Sequence, residues 1–244
     1  MKHLKKILGL MVLVVASACT KSQTEGNGQV SFVLFSDVEI ADQTKSNVSQ
    51  FTALPSTGDF IITITDASKT SVWSGKISDW DSTTQLLAGN YSVTATYGIS
   101  DEEGFDKPFF TGSADFAVVG GQTTEVEIQA SLGNTIVYVE CTEMFKNYYI
   151  DYSFKLSRDG RDIVTFAKDN TEAAFIEGYK ITLSGTITSE TKTSQIVPIE
   201  YTDLNVATAY KVLFDVSNVG GSTITITFND TVETIELGDF DLNE

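Results

Sequence analysis

Apolar and polar residues alternate with a period of two along most of this chain. In Tyr91–Tyr97, Tyr91, Val93, Ala95 and Tyr97 share one face and Ser92, Thr94 and Thr96 the other. Successive side chains of a strand point to opposite sides, so this pattern predicts a strand with one wet face. Thr124–Ala130 repeats it, with Val126 and Ile128 inward and Glu125, Glu127 and Gln129 outward. The same reading gives strands at Val30–Phe35, Phe60–Thr65, Phe116–Val119, Thr135–Cys141, Tyr148–Leu156, Tyr179–Thr188, Ile196–Tyr201, Tyr210–Val216 and Thr223–Phe228. Turn residues separate them at Ala88-Gly89-Asn90, Gly120-Gly121, Asp159-Gly160, Gly220-Gly221 and Asn229-Asp230. Only Asp101–Phe105 and Thr171–Ile176 have room for a helical turn each. Many short strands at regular spacing predict an all-β chain built of antiparallel sandwiches.

A coarse repeat divides the chain. An aromatic-led strand, a Gly-Gly turn and a Thr-rich strand occur as Tyr91–Tyr97, Gly120-Gly121 and Thr123–Ala130. They recur as Tyr210–Val216, Gly220-Gly221 and Thr223–Phe228. The repeat predicts two tandem β-sandwiches, residues 30–132 and 133–244, joined near Leu132-Gly133-Asn134. Each is roughly 105–110 residues, an ordinary domain size. One continuous elongated sandwich is the alternative.

The N-terminus carries a different pattern. Lys2, Lys5 and Lys6 precede the apolar run Ile7–Ala16, followed by Ser17 and Ala18. That order predicts a secretory signal peptide over residues 1–18. The run is too short for a membrane span, which needs about 20 apolar residues. Cys19 follows the small residues Ala16, Ser17 and Ala18, as in a bacterial lipobox, although Ala16 stands where Leu is usual. The expectation is that Cys19 becomes the lipidated N-terminus of the mature chain. Residues 19–29, polar and Gly-containing, then form a tether. Acyl chains contribute about 0.8 kcal/mol per buried CH₂, so they hold a soluble body at a bilayer without a span.

Composition narrows the chemistry. The 244 residues carry a net charge of −17, one His and two Cys. Removing a segment with three lysines takes the mature chain to about −20, which disfavours nucleic acid and anionic lipid surfaces as partners. His3 falls in the signal peptide, so the exported chain has no imidazole for a triad, a zinc site or a Cys–His pair. With Cys19 lipidated, Cys141 has no disulfide partner in the chain. It shares a face with Val137 and Val139 and reads as a buried structural thiol.

Several residues carry a family resemblance. The segment Phe60-x-Ile62-x-Ile64-x-Asp66, then Trp73-x-Gly75, then Leu87-x-Gly89-Asn90-Tyr91-x-Val93-x-Ala95-x-Tyr97-Gly98 resembles the DUF4493 lipoproteins of Bacteroidetes. Phe105-Asp106-Lys107-Pro108-Phe109-Phe110-x-Gly112, Phe116-x-Val118, Leu132-Gly133-Asn134 and Tyr148-x-x-Asp151-Tyr152 extend the match over most of residues 28–240. The resemblance implies an outer-membrane, lipid-anchored envelope protein with β-sandwich domains of transthyretin or immunoglobulin type. At the level of fold it also resembles the fimbrillin-like proteins of the same bacteria. No fimbrillin-type processing site follows the tether, which weighs against a pilin role.

Candidate sites follow. Phe105, Phe109 and Phe110 surround Pro108, and an exposed aromatic loop there would take a glycan or a protein partner. A loop plugging the open end of a sandwich, its rings buried, is the other reading. Trp73 and Trp80 pose the same choice between sugar platform and core. Asp101, Glu102 and Glu103, with Asp106 and Asp115, could supply oxygens to calcium, or form a solvated acidic loop. Arg158 and Arg161, the two arginines of the chain, flank the Asp159-Gly160 turn and read as solubilising charges. Glu125 and Glu127 sit two apart on a wet face with nothing to mark a cleft. The expected function is non-enzymatic and needs no cofactor: surface adhesion or ligand binding. The alternative is a subunit or accessory of a fimbria-like assembly, which needs a donatable strand at Val30–Phe35 or Val232–Leu237.

Overall fold

The structure, a computed structural model, describes residues 25–36, 48–216, 223–228 and 231–236. The expected signal peptide, Cys19 and the turns expected at Gly220-Gly221 and Asn229-Asp230 lie outside the described residues. The chain is all-β. The first half contributes β1 (Asn27–Ser36), β2 (Ile61–Asp66), β3 (Ser71–Lys76), β4 (Gln85–Leu87), β5 (Gly89–Tyr97), β6 (Gly104–Phe105), β7 (Phe110–Val118) and β8 (Thr123–Leu132). The second half contributes β9 (Thr135–Cys141), α1 (Glu143–Tyr148), β10 (Asp151–Arg158), β11 (Arg161–Ala167) and β12 (Ala173–Ile176). It continues with β13 (Ile181–Thr188), β14 (Thr193–Tyr201), β15 (Ala209–Val216), β16 (Thr223–Phe228) and β17 (Thr231–Glu236). Among the described residues no helix is long and apolar enough to cross a membrane.

The strands form three sheets, ordered β3-β2-β5-β7-β8-β1-β4, β11-β10-β13-β14 and β17-β16-β15-β9-β12-β6. Most neighbours are antiparallel, but β1 runs parallel to β8 and β9 parallel to β15. The sheets do not follow the sequence repeat strand for strand. The parallel partner of the opening strand is the one after the Gly-Gly turn in the first half and the one before it in the second.

Buried side chains gather in two clusters, and one sheet serves both. The first cluster is built on Val93, Ala95, Val126 and Ile128, the inward faces the alternation predicts. It also takes Ile136 from β9, Ala173 and Phe175 from β12, and Ala209 from β15. The other faces of those strands enter the second cluster, through Val137 and Val139, Ala174 and Ile176, and Tyr210 and Val212. The register agrees, since Phe175 stands opposite Ile136 and Ala174 opposite Val137. The six-stranded sheet is therefore a middle layer at this point, with a four-stranded sheet over one face and the seven-stranded sheet over the other. Strands covered on both faces lose polar alternation, and all four residues of β12 are buried. Across the second cluster, Phe154 of β10 stacks on Phe214 of β15 with centroids 3.8 Å apart.

Three local expectations are corrected. Thr171–Ile176 is not a helical turn, because Ala173–Ile176 pairs with β9 in extended form. Asp101–Phe105 ends in β6, a two-residue strand of the first half that pairs with β12 of the second. The strand expected from Tyr148 begins at Asp151. Thr142 caps α1 just before it, accepting from the Phe145 N–H and donating to Asp215 Oδ1 at 2.6 Å.

A shared middle sheet makes the two halves one folding unit. Phe175→Ala is expected to cost about 3–5 kcal/mol, the range for a buried Phe. Trp73 and Trp80 both lie in the first half, so tryptophan fluorescence and far-UV circular dichroism should lose signal at the same urea midpoint. Two separated midpoints would show that the halves unfold independently.

Candidate functional site

The Phe105–Phe110 loop lies where the two halves meet. Phe110 is fully buried in the first cluster, against Phe60 and Tyr97. Phe105 is half-buried and meets Phe166 of the second cluster edge-on at 5.3 Å. Phe109 is half-buried, and its N–H donates to Asn134 Oδ1 at the junction. A Cβ at Gly133 would stand 2.7 Å from the Phe109 ring, so glycine lets the linker pass. Trp73 and Trp80 are half-buried, packed T-shaped at 5.1 Å, and the Trp80 indole N–H donates to the Val30 carbonyl of β1 at 2.9 Å.

The acidic cluster disperses. Glu102 pairs with Lys107 at 3.0 Å, and Asp106 accepts from Thr52. Among the described residues, no group of three or more His, Cys, Asp or Glu is placed to hold a metal ion. Glu103 instead turns inward, its side chain 1% exposed, and meets both arginines: Arg161 at 2.5 Å and Arg158 at 3.2 Å. Its other oxygen accepts the Glu177 N–H at 2.9 Å. Arg158 continues to the Glu177 carbonyl and, at 3.3 Å, to the Glu177 carboxylate. A carboxylate taken out of water needs several strong donors, and three converge here. The arginines thus clasp a loop of the first half to the β10–β11 hairpin of the second, Arg158 largely covered and Arg161 still open to water.

Above the clasp lies a groove of about 510 Å³ lined by Gly133, Arg158, Glu177, Tyr179, Lys180 and Val206. Gly178 has φ +101°, and a Cβ there would stand 2.6 Å from Arg158 Nη1. The backbone can lie on the guanidinium only as glycine. This turn delays the strand to Ile181 and swings Tyr179 out of the inward register that period two gives it. Tyr179 is 70% exposed. Its carbonyl accepts from the Leu204 N–H at 3.0 Å, and Lys180 beside it reaches Glu200 at 3.3 Å and Asp159 at 3.7 Å.

A second cleft of about 330 Å³ opens at the far end of β9, lined by Cys141, Lys146, Tyr152, Phe154, Phe166 and Asp169. The Tyr152 hydroxyl donates to Asp169 Oδ1 at 3.0 Å, and Asp169 sits at φ +61°, a region few non-glycine residues adopt. Burial first, then the bond to Asp169, pushes the Tyr152 hydroxyl well above its ordinary value. Burial also pushes the Cys141 thiol up to about 12. At neutral pH both groups are protonated donors. Sequence reasoning missed Glu103 as a partner of the arginines and Tyr179 as an exposed ring. The signal available for the former was that arginine occurs only twice, three residues apart.

Fold and sites together describe an all-β chain with a shared core and concave, internally ion-paired surfaces. Residues 26–242 match the family described as a domain of unknown function, DUF4493, and the chain belongs to that family. No curated protein matches it in sequence. Among solved structures, it is similar to a fimbrial assembly protein from Parabacteroides distasonis, with 9% identity and a TM-score of 0.51, covering 86% of this chain and 100% of that one. It is also similar to an adhesin-like protein from Bacteroides thetaiotaomicron, with 13% identity and a TM-score of 0.48, covering 88% of this chain and 99% of that one. At these identities the likeness concerns the fold.

Two measurements check the site. Glu103→Ala should lower the urea midpoint without changing the slope. Arg161 is 64% exposed, which holds the loss to about 1–3 kcal/mol, below the ~3–5 of a fully buried pair. Cys141 should alkylate far more slowly at pH 8 than an unfolded thiol and reach the free rate in urea. Because its folded value exceeds the ordinary one of about 8.5, its contribution to stability is intact below that pH and is lost as pH rises toward 12.

Proposed function

We propose that the protein is a lipid-anchored envelope protein acting as a non-enzymatic surface adhesion or ligand-binding module. In this reading, residues 1–18 are removed on export, Cys19 carries the lipid at the outer membrane, and residues 19–29 are the tether. Residues 30–132 and 133–244 form two sandwiches that share the middle sheet, antiparallel except where β1 meets β8 and β9 meets β15. The observation that carries the reading is the fold, common to this chain and the whole of a fimbrial assembly protein.

A fimbria-like assembly role is the second reading. The C-terminal strand favours it, since among the described strands β17 ends its sheet, beside β16. An edge strand presents unpaired backbone to another chain. The N-terminal strand is held more firmly, by β8 along its length and by β4 over residues 27–29.

Radiolabelled palmitate should enter the wild-type protein in cells and not Cys19→Ala, and protease added to intact cells should remove the protein. Cells lacking the gene should then adhere less to a saccharide- or protein-coated surface, with recovery on complementation. Unchanged adherence would count against the adhesion reading. Detergent-resistant ladders of the protein that vanish on truncation after residue 230 would favour assembly.

A further inference from the structure

We propose that the junction groove binds a neutral saccharide, with a sugar ring stacked on Tyr179. This inference deepens the binding-module reading and rests on it. The groove, about 510 Å³, falls in the range of small-ligand sites. Its most exposed apolar element is a flat ring, Tyr179 at 70%, with Val206 beside it at 45%. The aliphatic face of a pyranose packs on such a ring, while hydroxyls at its edge need acceptors and donors in the same plane. Glu177, Asp159 and Lys180 line the same groove and supply both.

Charge selects the ligand class. Two cations, Arg158 and Lys180, and two anions, Asp159 and Glu177, line the groove, so its formal charge is zero. Each cation is already shared: Arg158 between Glu103 and Glu177, Lys180 between Asp159 and Glu200. A phosphate, sulfate or uronate would have to break one of these pairs and expose a carboxylate to it. A hydroxylated neutral ligand accepts and donates without disturbing them.

Geometry disfavours an extended peptide. Among the described strands, β12 is flanked by β9 and, over Ala174 and Phe175, by β6, and β13 by β10 and β14, so the strands on either side of the Glu177–Lys180 loop offer little edge for strand addition. The loop is also set in advance. Glu103 holds Arg158, Arg158 underlies Gly178, and the Leu204 N–H holds the Tyr179 carbonyl. Little conformational freedom remains to be lost on binding.

The test applies full-length protein in detergent to an array of neutral and acidic glycans, then titrates the best ligand. Neutral glycans should bind, with affinity little changed between 50 and 500 mM NaCl. Tyr179→Ala should weaken binding about tenfold, the scale of one stacking contact, whereas Tyr179→Phe should retain it. Tyr152→Phe, in the other cleft, should leave binding unchanged. Thermal midpoints equal to wild type would show that each variant is folded. No glycan bound, acidic glycans alone bound, or full binding by Tyr179→Ala would each overturn the inference. If cells still adhere when the array is blank, the saccharide assignment fails and the adhesion reading stands. If adherence is independent of the protein, both fail.

Discussion

A strand has two faces, and at the start of β9, in β12 and at the start of β15 neither face meets water. That constraint organises the molecule. Ile136, Phe175 and Ala209 look into one cluster while Val137, Ala174 and Tyr210 look into the other, so neither half can leave without stripping the other's sheet. Small residues fall where two layers press on one backbone, as at Ala173, Ala174 and Ala209. The junction is then rigid enough to carry a fixed charge cluster. Glu103 can be buried because the arginines that neutralise it cannot drift away.

The parts of the fold legible in the sequence were those with a wet face. β5 and β8 alternate because one side is solvated, and Val93, Ala95, Val126 and Ile128 are core as their spacing indicates. Cys141 packs on the same cluster as Val137 and Val139, half-buried at its margin rather than buried as expected. Ala173–Ile176 had no alternation to read, because burial on both faces removes it, and a short apolar run of this kind resembles a helical turn. β6 is two residues long, held by pairing across the junction rather than by its own composition.

The charged and aromatic residues were harder to read for a related reason. Arg161 and Glu103 are 58 positions apart, and nothing local in Asp101–Glu103 distinguishes the carboxylate that turns inward from those that stay wet. Tyr179 shares its parity with Ile181 and Leu183, which are core. Only the left-handed turn at Gly178, imposed by the guanidinium beneath it, breaks that register and sends the ring outward. Tertiary contacts, not local patterns, decide both positions.

The parallel pairings have a consequence for how the protein comes into being. Gln29 of β1 sits beside Thr123 of β8, 94 positions later, β9 waits for β15, and β6 waits for β12. Each of these early strands stays without its partner until a late one has been made. Loop closure over such distances is slow, so a chain emerging from its N-terminus cannot complete its first half and then begin its second. The polypeptide therefore emerges with apolar strands uncovered until its second half is present. A holding chaperone would matter more to this architecture than to one whose halves fold in turn.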